Sequence, residues 1–138
     1  MNTRVIITDD DVDFAQTLQR CAQSAGHETV LCSDGYGLIS ALNECHDPAL
    51  VFLDVHMKEK DGIEVIEDIK SLETSFRIRF ITGGVDTHAI AARMIATARD
   101  IDVGTTLYKP FTLDDFRNAI ETDLPLLQDQ ISSRLRTA

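Results

Sequence analysis

Short β-rich runs alternate with helically spaced apolar residues five times along this chain, and that alternation constrains the fold more than any other feature. A β-rich run over residues 4–8 contains Val5-Ile6-Ile7; apolar residues then recur at Val12, Ala15, Leu18, Ala22 and Ala25, a helical spacing that Gly26 ends. His27–Cys32 predicts the second strand. Asp34, in the turn Ser33-Asp34-Gly35, predicts the cap of a helix over 36–45, which Asp47-Pro48 breaks. Ala49–Leu53 is apolar throughout, the pattern of a strand buried on both faces at the centre of a parallel sheet. After a polar loop ending in Asp61-Gly62, a helix carries Ile63, Ile66, Ile69 and Leu72 along one face. Phe76–Ile81 predicts the fourth strand, with Arg77 and Arg79 alternating against Phe76, Ile78 and Phe80. Beyond Gly83-Gly84, Asp86 or Thr87 caps a helix with Ile90, Met94, Ile95 and Ala98, of which Met94 and Ile95 are expected in the core. Gly104–Tyr108 predicts the fifth strand, and Thr112 caps a last helix with Leu113, Phe116 and Ile120. Strict alternation of this kind implies an α/β fold: a doubly wound, five-stranded parallel sheet with helices on both faces and right-handed crossovers.

A chain of 138 residues, 43% of them hydrophobic, suits one domain. We assign residues 1–122 to it and 123–138 to a C-terminal helical tail or linker. There Leu124, Leu127, Ile131 and Leu135 extend the stripe of Leu113, Phe116 and Ile120, and Pro125 is expected to kink the helix or start a new one. An apolar stripe with no core left to cover predicts a homodimer contact or a linker to an output domain; the alternative is a tail packed back on its own domain. The net charge of −10 argues against a nucleic-acid surface on this domain. No apolar run reaches 18 residues, and the start Met1-Asn2-Thr3-Arg4 lacks the features of a signal peptide, so neither a membrane nor export is expected. Cys21, Cys32 and Cys45 have no metal-ligand spacing and read as reduced cysteines of a cytoplasmic protein.

The chemistry lies where strands end. Asp9, Asp10 and Asp11 follow the first strand, Asp54 closes the third, Thr82 follows the fourth, and Lys109-Pro110 closes the fifth. In an open parallel sheet the carboxyl ends of the strands share one edge, where the ligand crevice lies. Several carboxylates, a hydroxyl and an ammonium gathered there suit a divalent cation and a phosphoryl group. Asp10 and Asp54 are candidate carboxylate ligands of a hard cation such as Mg²⁺; Asp9 could bind directly or through water, and a backbone carbonyl just after Asp54 could add an oxygen. Asp54 is also a candidate nucleophile toward phosphorus, with Lys109 and Thr82 placed to receive phosphoryl oxygens. Asp11 reads equally well as a helix cap.

Taken together, Ile6-Ile7-Thr8-Asp9-Asp10-Asp11, Phe52-Leu53-Asp54-Val55-His56-Met57 with Asp61-Gly62, Ile81-Thr82-Gly83 and Lys109-Pro110-Phe111 resemble the receiver domains of two-component response regulators, over residues 4 to about 122. The resemblance implies a flavodoxin-like fold of the chemotaxis-Y kind, strand order 2-1-3-4-5. It implies that Asp54 accepts a phosphoryl group from a histidine kinase or phosphotransfer protein. It further implies Mg²⁺ held by Asp9, Asp10, Asp54 and the His56 carbonyl, and phosphoryl oxygens bound by Thr82 and Lys109. Where many receivers carry proline after the acceptor loop methionine, this chain has Lys58. Thr106 stands where an aromatic residue commonly swings inward on activation, and Tyr108 lies on the same strand face. The segments around Thr82 and from Gly104 to Phe111 also resemble receivers attached to cyclic-di-GMP phosphodiesterase (EAL) outputs. Two rivals are a Mg²⁺-dependent phosphohydrolase passing through an aspartyl phosphate, which would want an aspartate where His56 stands, and a binding-only pseudo-receiver. His27, His46 and His88 read as scattered structural histidines, whereas His56 could flank the acceptor and tune attack by water.

Overall fold

The computed structural model describes residues 3–57, 59–83 and 87–137. Strands β1 (Arg4–Thr8), β2 (Glu28–Cys32), β3 (Ala49–Asp54), β4 (Phe76–Thr82) and β5 (Leu107–Tyr108) form one parallel sheet in the order β2-β1-β3-β4-β5. Helices α1 (Val12–Ser24), α2 (Gly35–Glu44), α3 (Gly62–Ile69), α4 (Thr87–Ala98) and α5 (Leu113–Thr137) connect the strands and follow the last of them. The expected fold class and strand order are therefore what the chain adopts.

Side-chain alternation along the strands builds two cores. Ile6, Val51, Leu53, Ile78 and Phe80 face α2, α3 and α4, while Val5, Ile7, Leu50, Phe52 and Ile81 face α1 and α5. β3 sits at the centre of the sheet and all six of its residues are buried, as its apolar run requires. Caps fix the helix starts. The side chains of Asp11, Asp34 and Asp61 each accept a backbone N–H of the first turn, and Asp61 forms a reciprocal capping box with Glu64. Gly26, at φ +89°, takes the left-handed conformation that lets the chain leave α1.

The structure corrects three expectations. In α4 the buried face is Ala89, Ala92 and Ala96, whereas Ile90 and Met94 are 55% and 68% exposed. Small alanines let the helix lie close to the sheet, so the larger side chains fall outside and Met94 is not core; Ile95 is half-buried. The fifth strand is shorter than Gly104–Tyr108. A lone bridge joins Val103 to Ile78, and the carbonyls of Gly104 and Thr105 accept hydrogen bonds from the Arg93 and Arg79 side chains instead of continuing the ladder.

The third concerns the C-terminal segment. α5 continues through Pro125 as one helix, and Leu127 is fully buried while Leu124 and Ile131 pack on the α1/α5 core. Gln130 donates to the Phe76 carbonyl at 3.2 Å, fastening this segment to the start of β4. The stripe thus has core to cover as far as Ile131, and Leu135 is exposed. Asp123, placed at the start of the tail, is buried and pairs with Arg79 (2.5 Å) and Arg77 (3.4 Å) of β4. Lys58, Gly84 and Asp86, on which the missing proline, the flexible loop and one α4 cap rested, lie outside the described residues.

Candidate functional site

At the carboxyl edge of the sheet, β1, β3, β4 and β5 deliver their last residues to one place. Asp9 directly follows β1 and is 1% exposed; its Oδ1 accepts the Asp11 N–H at 2.9 Å and its Oδ2 accepts Lys109 Nζ at 2.9 Å. Asp54 ends β3, and its Oδ1 accepts the His56 N–H at 2.9 Å while Oδ2 lies 3.7 Å from Lys109 Nζ. Asp10 is exposed at the rim. One carboxylate oxygen from each of Asp9, Asp10 and Asp54 lies within 4.8 Å of the other two. A single octahedral cation with ligands at ~2 Å, whose opposite ligands sit ~4 Å apart, needs only a small side-chain adjustment to engage all three. The donor set, hard oxygens with no sulfur, also fits Mg²⁺.

The backbone registers these groups. Val55 N–H donates to the Ile81 carbonyl at 3.1 Å, tying the loop after Asp54 to β4, and Lys109 N–H donates to the Thr82 carbonyl at 2.7 Å. Thr82 is fully buried at the end of β4, opposite Tyr108 in the parallel register. Asp9, Asp10, Asp54 and Lys109 are thus brought together, with the His56 N–H bound to Asp54 and Thr82 ending the strand next to it.

Electrostatics follow from the crowding. Burial pushes the Asp54 carboxyl up to about 6; the nearby Asp9 charge adds to this, while the His56 N–H and the Lys109 charge oppose it. Burial pulls the Lys109 ammonium down, but its hydrogen bond to Asp9 and the charges of Asp54, Asp9 and Asp11 outweigh that and leave it above the usual lysine range. The pocket is short of positive charge by its own resources.

Some placements were not foreseen. His88, read as a scattered histidine, sets its ring edge-on to His56 with centroids 5.1 Å apart, and with Asp10 and Asp61 the two imidazoles line an open pocket beside the loop after Asp54. Phe14, on the first turn of α1, carries the Lys109 ammonium 4.5 Å from its ring centroid, and Phe111 meets Phe14 edge-on at 5.5 Å. No local signal marks Phe14, because its role depends on the end of β5 folding back over α1. Asp11 caps α1 by accepting the Phe14 N–H at 3.1 Å. Thr106 is 7% exposed and its hydroxyl has no hydrogen-bond partner among the described residues, while Tyr108 is 51% exposed.

With the geometry in view, the comparisons with known proteins agree. The sequence profile of the response regulator receiver domain matches residues 5–121. The chain is 27% identical over 128 residues to sporulation initiation phosphotransferase F of Bacillus subtilis, covering 91% of this chain and 97% of that protein. It is 32% identical over 120 residues to the response regulator receiver protein CpdR of Brucella abortus, covering 86% and 93%. Among solved structures, the CheY-like receiver domain protein of Methanospirillum hungatei superposes with a TM-score of 0.80 at 16% identity, over 94% of this chain and 99% of that one, a likeness of fold.

Proposed function

This chain belongs to the response regulator receiver domain family, and from that premise we propose that Asp54 is its phosphoacceptor, that Asp9, Asp10, Asp54 and the His56 carbonyl hold Mg²⁺, and that Thr82 and Lys109 bind the phosphoryl oxygens. A receiver is a signalling switch rather than an enzyme acting on a separate substrate. It works between a histidine kinase or phosphotransfer protein and an output. The observation that carries the assignment is the reach of Lys109 Nζ to both Asp9 (2.9 Å) and Asp54 (3.7 Å), in the pocket where three carboxylates converge.

Asp54 Oδ1 is occupied by the His56 N–H, so Oδ2, turned toward the ammonium, is the attacking oxygen. In the transfer an Oδ2–P bond forms and the P–N bond of a phosphohistidine breaks, the departing imidazole taking up a proton. Bound Mg²⁺ supplies charge that offsets the carboxylates and the transferring phosphoryl oxygens. Lys109 exchanges Asp9 for a phosphoryl oxygen, and the Thr82 hydroxyl donates to another. Hydrolysis reverses the state: water attacks phosphorus, and phosphate leaves with the Asp54 carboxylate restored.

A homodimer and an EAL phosphodiesterase output are further proposals. The first is supported by exposed Leu135 at the end of α5, the second by the sequence likeness around Thr82 and from Gly104 to Phe111 alone. The rivals are less favoured. His56, an exposed imidazole, stands where a phosphohydrolase wants an acid/base aspartate, and a pseudo-receiver has no use for the full set at Asp9, Asp10, Asp54, Thr82 and Lys109. Incubation with a small phosphodonor and Mg²⁺, read by intact mass, separates the three. One added phosphoryl supports the switch, rapid donor turnover without accumulation supports the hydrolase, and no change supports the pseudo-receiver.

A further inference from the structure

Lys109 has neighbours of two kinds. Toward the pocket stand the carboxylates of Asp9 and Asp54; against it also lies the aromatic face of Phe14, with the ring centroid 4.5 Å from Nζ. Phe14 is itself held. Its backbone N–H is bound by the Asp11 cap, which fixes the first turn of α1, and its ring is braced edge-on by Phe111, two residues beyond Lys109 on the same loop. Both rings are half-buried on the α1/α5 core, whereas the lysine side chain keeps 27% exposure. A flexible ammonium with that much access to water would otherwise spend part of its time solvated.

We propose that Phe14 is a positioning residue for phosphoryl capture: its ring holds the Lys109 ammonium over the pocket while the ammonium leaves Asp9 for the phosphoryl group on Asp54. This rests on the reading of Asp54 as acceptor. A π face suits the task because its attraction for a cation is broad and weakly directional. The ammonium can shift between partners without losing the contact. A carboxylate in place of the ring would compete with the phosphoryl oxygens, and an aliphatic side chain would supply bulk without attraction for charge. Phe111 keeps the ring from turning away.

The test uses the whole chain, Mg²⁺, beryllofluoride as phosphoryl mimic and a small phosphodonor, with no protein partner, so that a docking role for the exposed part of the ring does not register. Phe14→Leu keeps most of the bulk and removes the π face. It is expected to weaken beryllofluoride binding and slow phosphorylation about three- to tenfold, a loss in the range of one cation–π contact. Mg²⁺ affinity should stay at the wild-type value, since Phe14 touches no proposed metal ligand. Phe14→Tyr should restore beryllofluoride binding to within about twofold, because the face is kept. Should Phe14→Leu fold poorly, a trifluorinated phenylalanine at the same position, nearly the same size with its face depleted of negative charge, should give the same loss. Unchanged beryllofluoride affinity in the leucine or trifluoro protein overturns the proposal. So does an equal loss of Mg²⁺ affinity, which marks a general disturbance of the site. If the wild-type chain itself binds no beryllofluoride and takes no phosphoryl group, the acceptor reading fails with it; a phosphorylated wild type with an indifferent position 14 sinks only the role of Phe14.

Discussion

Two clusters of charge, one at the carboxyl ends of the strands and one between β4 and α5, are built on opposite principles. At the acceptor edge three carboxylates, from Asp9, Asp10 and Asp54, share one ammonium from Lys109. On the α5 side the guanidiniums of Arg77 and Arg79 share one carboxylate, Asp123, and Arg79 spends a further N–H on the Thr105 carbonyl at 3.1 Å. The second cluster is closed by the chain itself. A Cβ at Gly104 would stand 2.7 Å from Asp123 Oδ2, so no side chain fits against it there. The first cluster opens to solvent through Asp10 and leaves the Asp54 carboxyl raised to about 6. Each cluster carries an excess of one sign; what separates them is access, since Asp123 is hydrogen-bonded by Arg79 and packed under Gly104 while the carboxylates of the first cluster reach the rim at Asp10. The contrast separates a fastening from a candidate binding site, although both are ionic and built from residues far apart in sequence.

The largest expected effect tests the fastening. Asp123→Ala leaves two largely buried arginines without their carboxylate and should destabilise the fold by about 3–5 kcal/mol, read as a shift in the urea midpoint at unchanged slope. The phosphorylation rate of the folded protein should stay near wild type. A loss of phosphorylation without loss of stability would erase the distinction between the clusters.

Asp54→Asn should act in the opposite sense on stability. The folded carboxyl titrates above its ordinary 3.8, so its contribution is present in full on the acid side and is lost as pH rises through about 6. Without metal, wild type should therefore lose stability relative to Asp54→Asn between about pH 4 and 6.5, ending about 1–2 kcal/mol below it at neutral pH. Parallel urea melts in chelator across that range measure it, and Mg²⁺ should close the gap. A gap that stays flat with pH would mean that Asp54 is not strained by burial.

Asp10→Asn tests the open side of the same pocket. Removing one rim carboxylate should weaken Mg²⁺ binding on the order of tenfold, by calorimetric titration, with only a small gain in metal-free stability because Asp10 is exposed. Unchanged Mg²⁺ affinity would exclude Asp10 as a ligand.

Much of this was legible in the sequence because it is carried by local pattern. The apolar run Ala49–Leu53 marks a central strand, and each site residue is announced by the strand it ends. What escaped depends on contacts across the fold. Asp123 and Arg79 are 44 residues apart, so the ion pair that binds the middle of α5 to β4 has no local sign, and residue 123 reads as the start of a tail. The face of α4 was misjudged because alanine is a weak marker of burial in sequence. Three alanines at close packing distance outrank Ile90 and Met94 in the structure. Asp9 and Lys109 stand 100 residues apart yet their common edge is legible in the sequence, since strand topology alone brings them there; the place of Phe14 is not, because it depends on where a side chain lies.

The central claim is that Asp54, and no other residue, takes the phosphoryl group. An acyl phosphate is cleaved by borohydride to a primary alcohol, which converts the aspartate that carried it to homoserine. After exposure to a small phosphodonor with Mg²⁺ and then borohydride, peptide sequencing by mass spectrometry should find homoserine at position 54, with Asp9, Asp10 and Asp11 intact, and none at all in Asp54→Asn. Homoserine at position 9 or 10, or a phosphoryl group that survives borohydride on another residue of the wild-type chain, would contradict the account.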